Sequence, residues 1–177
     1  MTTYEYLRTP ESLQPQELVH GVCREAAAPT PRHQELVGSF FIALESHVRA
    51  GARGGVWLAP VDVVLDRERH LVVQPDLIMV SAARLGIVTD RVWGAPDIAL
   101  EVLSPMPRLG SVDERMAWFA QYGVRECWLV HQVHHEVEVV QFEGGRLASR
   151  TLFERDQRIR STVLPDFDRS MADIIGS

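Results

Sequence analysis

Two stretches decide how this chain is read: Val72-Val73-Gln74-Pro75-Asp76-Leu77-Ile78-Met79-Val80, and Ile98-Ala99-Leu100-Glu101-Val102-Leu103-Ser104-Pro105. Each is a short apolar run rich in β-branched residues, which reads as a buried strand. Each also carries one carboxylate. A carboxylate among apolar side chains is costly unless it is paired or holds a metal. Asp76 and Glu101 lie 25 positions apart, on strands that can be neighbours. They suggest a divalent cation site, with Mg²⁺ or Mn²⁺ as the ion, because hard cations take carboxylate and water oxygens. The plainer alternative is two strand-end carboxylates paired with arginine. A bare Pro-Asp is a weak signal, since Pro96-Asp97 and Pro165-Asp166 also occur. Asp97 shares a strand face with Glu101 but sits ~13 Å away at strand rise, too far to share one ion.

Outward from these strands the pattern alternates between helix and strand. Residues 1–30 read as polar and irregular, with short strands on either side of a turn in Glu17–Val22. Thr30 as N-cap and Pro31 at the first helical position open a helix. Leu36, Val37, Phe40, Phe41, Leu44 and Val48 recur at helical spacing, and Gly51 ends it. Strand-like runs follow over 56–59 and 61–65, then a charged hairpin tip, Asp66-Arg67-Glu68-Arg69-His70. Residues 81–96 form a long connection with a helical turn near Ala82–Leu85. Ser111 with Glu114 spells a capping box, opening a helix with Val112, Met116, Phe119 and Ala120 on one face and Gly123 at its end. Strands are expected at 126–130, 136–142, 147–153 and 161–164, then a short helix at 170–175. The strands at 98–103 and 126–130 flank a helix, so they can pair in parallel; the others are mostly hairpins. The expectation is an α/β fold, a mixed β-sheet flanked by helices.

Composition removes several function classes. With 177 residues and 46% hydrophobic content the chain is an ordinary globular one of single-domain size. No run of ~20 apolar residues could span a bilayer, and no secretory signal precedes the fold, so a cytoplasmic location is expected. A net charge of −6 argues against coating nucleic acid by bulk electrostatics. All 18 basic residues are arginine, so no mechanism can use a lysine amine. Cys23 and Cys127 stand alone and read as free buried thiols, not a zinc site. His131-Gln132-Val133-His134-His135 reads as a solvated turn, because no cysteine or carboxylate completes a zinc shell. Glu35 reads as helix surface, and the arginines between 146 and 160 as solvated faces interleaved with acids. Ser104 has no visible histidine and acid partners for a serine hydrolase.

The order of motifs resembles the PD-(D/E)XK nuclease superfamily, and within it the bacterial Uma-two branch of restriction-endonuclease-like proteins. The matching residues are Glu17–Gly21, Pro31-Arg32-His33-Gln34, Val61–Asp66, Gln74-Pro75-Asp76-Leu77, Ala95-Pro96-Asp97, Glu101–Pro105 and Gly123–Val130. The resemblance implies one restriction-endonuclease-like domain over residues 1–177, with Asp76, Glu101 and the Val102 carbonyl as metal ligands and DNA as the partner. It also implies a lysine, which most of the superfamily carries at the place of Leu103. This branch carries it on the next helix, four residues after an Asp and four before a Tyr. Those three places are Ser111, Arg115 and Phe119 here, and all depart from the pattern. Glu17 matches the branch's upstream acid, His20 replaces its usual Asp, and His33 matches its helix-start histidine. Arginine can clamp phosphate but cannot serve as a base, because it stays protonated.

Two functions follow as expectations. The first is a Mg²⁺- or Mn²⁺-dependent endonuclease on DNA. Asp76 and Glu101 hold the metal, Arg115 stabilises the charged phosphorus centre, Glu17 adds a ligand or positions water, and His33 contacts phosphate. The second is a catalytically degenerate module that binds nucleic acid or protein. Exposed sheet edges would favour a homodimer in either case.

Overall fold

The computed structural model describes residues 1–10, 14–103 and 111–176. Ser104 and the loop Pro105–Gly110 lie outside the described residues. In chain order the elements are α1 (Thr3–Tyr6), β1 (Gln16–Val19), β2 (Val22–Glu25), α2 (Pro31–Ala50), β3 (Gly54–Leu58), β4 (Val63–Asp66), β5 (Leu71–Val73) and β6 (Leu77–Ser81). A 3₁₀ turn (Ala82–Ile87) leads to β7 (Val92–Trp93), β8 (Ile98–Leu103), α3 (Val112–Tyr122), β9 (Glu126–His131), β10 (Glu136–Glu143), β11 (Arg146–Phe153) and α4 (Met171–Ile175).

The chain builds two mixed sheets where one was expected. The larger runs β11-β10-β9-β8-β6-β3 and the smaller β2-β1-β5-β4-β7. Among the described residues β8–β9 and β4–β7 are the parallel pairs; the crossover through α3 makes the first of these, as expected. The split falls inside the first signature. β5 ends in the small sheet and β6 begins in the large one, and Gln74-Pro75-Asp76 carries the chain between them. Proline has no N–H to give a ladder, so Pro75 is a natural break. Asp76 therefore precedes its strand instead of lying within it.

Helix α2, α4 and the C-terminal segment cover one face of the large sheet. Leu36, Phe40 and Leu44 pack there with Leu77, Met79, Leu100 and Trp128. Helix α3 and the small sheet cover the other face, where Phe119 and Met116 meet Ile78, Ala99, Leu129 and Val73. Alternate residues of β6 and β8 thus enter opposite cores. Both faces are buried, which is why the two signatures read as continuous apolar runs with no polar alternation.

Other expectations need correction. Residues 1–30 are less irregular than expected, because Thr2 caps the one-turn helix α1 with a capping box. Cys127 is buried but Cys23 is exposed, since β2 is an edge strand with no neighbour beyond it. Val112 is 36% exposed and lies off the inner face of α3. Ser111 accepts from the Glu114 N–H, but the Glu114 carboxylate reaches Arg24 and does not close the capping box.

Residues 161–164 follow a bent, irregular path and form no strand, because their donors go to a buried carboxylate. Glu126 accepts from Ser161 Oγ (2.7 Å), Thr162 N (2.6 Å), Thr162 Oγ1 (2.7 Å) and Trp128 Nε1 (3.0 Å), and is fully buried. It ties the C-terminal segment to the sheet. Replacing it with alanine strands several buried donors at once. Glu126→Ala is therefore expected to lose about 3 kcal/mol, read from the urea midpoint. A loss under about 1 kcal/mol would mean that water can reach those donors.

Candidate active site

The register of the two central strands assembles the site. β6 and β8 pair antiparallel, with Leu77 opposite Leu100. One step further, that register brings Asp76 opposite Glu101 at the end of the large sheet. The Val102 N–H donates to Asp76 Oδ2 at 2.8 Å, fixing the carboxylate against the neighbouring strand. His33, in the first turn of α2, places Nε2 at 3.1 Å from the same oxygen. Asp76 is 7% exposed and His33 2%.

From the other face comes Arg115, in α3. Its Nε lies 2.5 Å from Glu101 Oε1, and Nη1 and Nη2 reach Glu17 Oε2 and Oε1 at 2.9 and 2.8 Å. Three of the five guanidinium N–H groups thus meet carboxylates. Phe119 lies beneath, its ring centroid 5.7 Å from the guanidinium carbon. Glu17 is 1% exposed, held also by the Gln74 N–H at 2.7 Å. This accounts for part of the first signature: Gln74 fixes Glu17, and Asp76, two residues on, enters the site.

Among the described residues, Arg115 is the guanidinium that pairs with both Glu17 and Glu101. Burial pushes the Glu101 carboxyl up; Arg115 pulls it back, while Asp76 and Glu17 add to the rise. Burial opposes the Arg115 charge, but Glu101 and Glu17 outweigh it and hold the guanidinium protonated. Arg115 is therefore a fixed cation and cannot accept a proton.

All five residues singled out in the sequence, Glu17, His33, Asp76, Glu101 and Arg115, converge here. The decoys lie elsewhere. Asp97 is held by the Ser81 N–H at 2.8 Å and by Arg84 at 3.2 Å, and Asp166 by Arg53 and His47. Burial acts against the Asp97 charge, but the Ser81 N–H and Arg84 hold its carboxyl below the usual range. The His131–His135 segment is a turn, with His135 against Arg32 at 2.9 Å. Arg150 pairs with Glu138, and Arg158 with Asp173. Sequence reasoning missed Arg24, which stands directly opposite Glu17 in the β1–β2 ladder and meets Glu114 at 3.1 Å. Strand pairing alone reveals it.

The donor set suits a hard divalent cation in kind. The strand register sets Asp76 opposite Glu101, and the main chain of Val102 is adjacent. Among the described residues, no group of three or more His, Cys, Asp or Glu side chains is disposed to hold a metal ion. Two carboxylates without a closed cage are a set that leaves room for water on Mg²⁺. Among the described residues no helix is long and apolar enough to cross a membrane.

Comparison with known proteins bears on the fold and the family. No curated protein matches the chain. A crystal structure of a "putative nuclease belonging to DUF820" from Anabaena variabilis superposes with a TM-score of 0.84 at 18% identity, covering 99% of this chain and 97% of that one. At that identity the likeness establishes the fold alone: an α/β arrangement of mixed sheets flanked by helices. Residues 3–172 match the model of the Uma2 family, described as "Putative restriction endonuclease". With almost all of its length matched, this chain belongs to the Uma2 family.

Proposed function

We propose that the protein is a Mg²⁺- or Mn²⁺-dependent endonuclease that hydrolyses DNA phosphodiester bonds in the cytoplasm. The observation that carries this reading is the register that sets Asp76 opposite Glu101, with His33 and Arg115 closing on the pair from opposite faces of the sheet. Asp76, Glu101 and the Val102 carbonyl are the groups that would hold the cation. When bound, such an ion polarises a phosphoryl oxygen and makes water more acidic.

The chain's own residues supply the rest. The Val102 N–H and His33 Nε2 fix the Asp76 carboxylate, so no rotamer search precedes binding. Arg115 holds Glu17 and Glu101 in place and faces the negative charge that grows at phosphorus, the task of a fixed donor in a site of low polarity. It leaves the water's proton to another acceptor. Glu17, gripped by Gln74 and Arg115, is the carboxylate placed to orient that water.

One observation favours a second reading, a degenerate nuclease fold that binds nucleic acid or protein. Arg115 already neutralises Glu101 at 2.5 Å, where the family pattern has a lysine. Metal removal separates the two readings. Supercoiled plasmid incubated with Mn²⁺ is expected to be nicked, and EDTA to abolish the nicking. Intact plasmid at every Mn²⁺ concentration would favour the binding module. Edge strand β11, with Leu147 and Leu152 exposed, supports assembly as a homodimer.

A further inference from the structure

A second arginine stands beside the site's framework. Arg24 and Glu17 are directly opposed across the β1–β2 ladder, so both side chains leave the same face of the small sheet. Glu17 is taken by Arg115. Arg24 instead meets Glu114, which adjoins Arg115 in the first turn of α3. Among the described residues β2 is the outer strand of its sheet, with no strand beyond it.

The two arginines differ in what holds them. Arg115 is buried and grips two carboxylates, so its guanidinium is committed to the site's own framework. Among the described residues Arg24 has one ion-pair partner, Glu114 at 3.1 Å, and the two side chains are 34% and 38% exposed. An ion pair at such exposure is weak and is readily exchanged for another anion. Phosphate is a better partner for the planar fork of arginine, which it can engage with two parallel hydrogen bonds. The Glu114 carboxylate thus occupies a place that suits a phosphodiester oxygen.

We infer that Arg24 binds the nucleic-acid backbone beside the reacting phosphate, releasing Glu114 as the strand arrives. The inference rests on the nuclease reading above and names a substrate-binding residue for it. It makes the outer arginine the recruiting cation of a chain whose net charge is −6. Glu114 then competes with substrate, so removing either partner has opposite effects.

The test is fluorescence anisotropy of a labelled DNA duplex, titrated with protein carrying Asp76→Asn so that the strand stays intact. Adding Arg24→Ala is expected to raise Kd about tenfold and to lower the salt slope by about one. Arg24→Lys should recover most of the affinity. Glu114→Gln should tighten binding about threefold, and the gain should vanish when Arg24→Ala is added. A mere structural clip between β2 and α3 would instead make both single changes lower the melting temperature with Kd unmoved. That result, or a Kd unchanged by Arg24→Ala in a parent that binds DNA, overturns the role of Arg24 and leaves the nuclease reading standing. A parent without any DNA binding overturns both.

Discussion

Arg115→Met is expected to cost about 3–5 kcal/mol of folding stability, the scale for breaking a buried ion pair by removing one partner. The reason lies in what remains. Glu17 and Glu101 are held by the one guanidinium, and Glu17 is 1% exposed. Without Arg115, the Glu17 and Glu101 carboxylates stay in the interior and lose the guanidinium that pairs with both. The loss should appear as a lower urea midpoint at unchanged slope. Replacing all three partners by neutral residues, Glu17→Gln and Glu101→Gln with Arg115→Met, should recover much of it, because apolar or neutral substitutes of a buried ionic cluster are often tolerated. Arg115→Lys should fall between, since an ammonium cannot match the fork that spans Glu17 and Glu101. A loss below about 1 kcal/mol for Arg115→Met would place the cluster among weak, solvated pairs.

Asp76→Asn is expected to lower Mn²⁺-dependent nicking about a thousandfold, equivalent to about 4 kcal/mol in the barrier. Asparagine keeps the shape and can still accept from the Val102 N–H, so the fold should survive and the loss should read as chemistry. The carboxylate charge that would bind a cation is what the change removes. Melting of the variant near the wild-type temperature separates this loss from unfolding. Cleavage at the wild-type rate by Asp76→Asn would move the reaction to other residues or to a contaminant.

Much of this was legible because the physics is local. Thr30 and Pro31 mark the start of α2, and Gly123 its counterpart at the end of α3, with φ 92° where glycine is favoured. Asp76 and Glu101 stood out because acids inside apolar runs need a reason. What stayed hidden depends on pairing across the chain. Arg24 looks like an ordinary hairpin charge until the ladder sets it opposite Glu17. Glu126 looks like a strand-edge acid, yet its donors come from residues 161–163. The division into two sheets at Pro75 could not be read, because a continuous apolar run does not say which sheet each half joins. The departures at Ser111, Arg115 and Phe119 are likewise explained by contacts: Ser111 caps α3, while Arg115 bridges Glu17 and Glu101 above the Phe119 ring.

The central claim, that Asp76 and Glu101 form a divalent cation site, is tested most directly by calorimetric titration of the protein with Mn²⁺. The account predicts a saturable isotherm for the wild type that disappears in Asp76→Asn while that variant still melts as the wild type does. No heat of binding in the wild type, or an unchanged isotherm in Asp76→Asn, would contradict it.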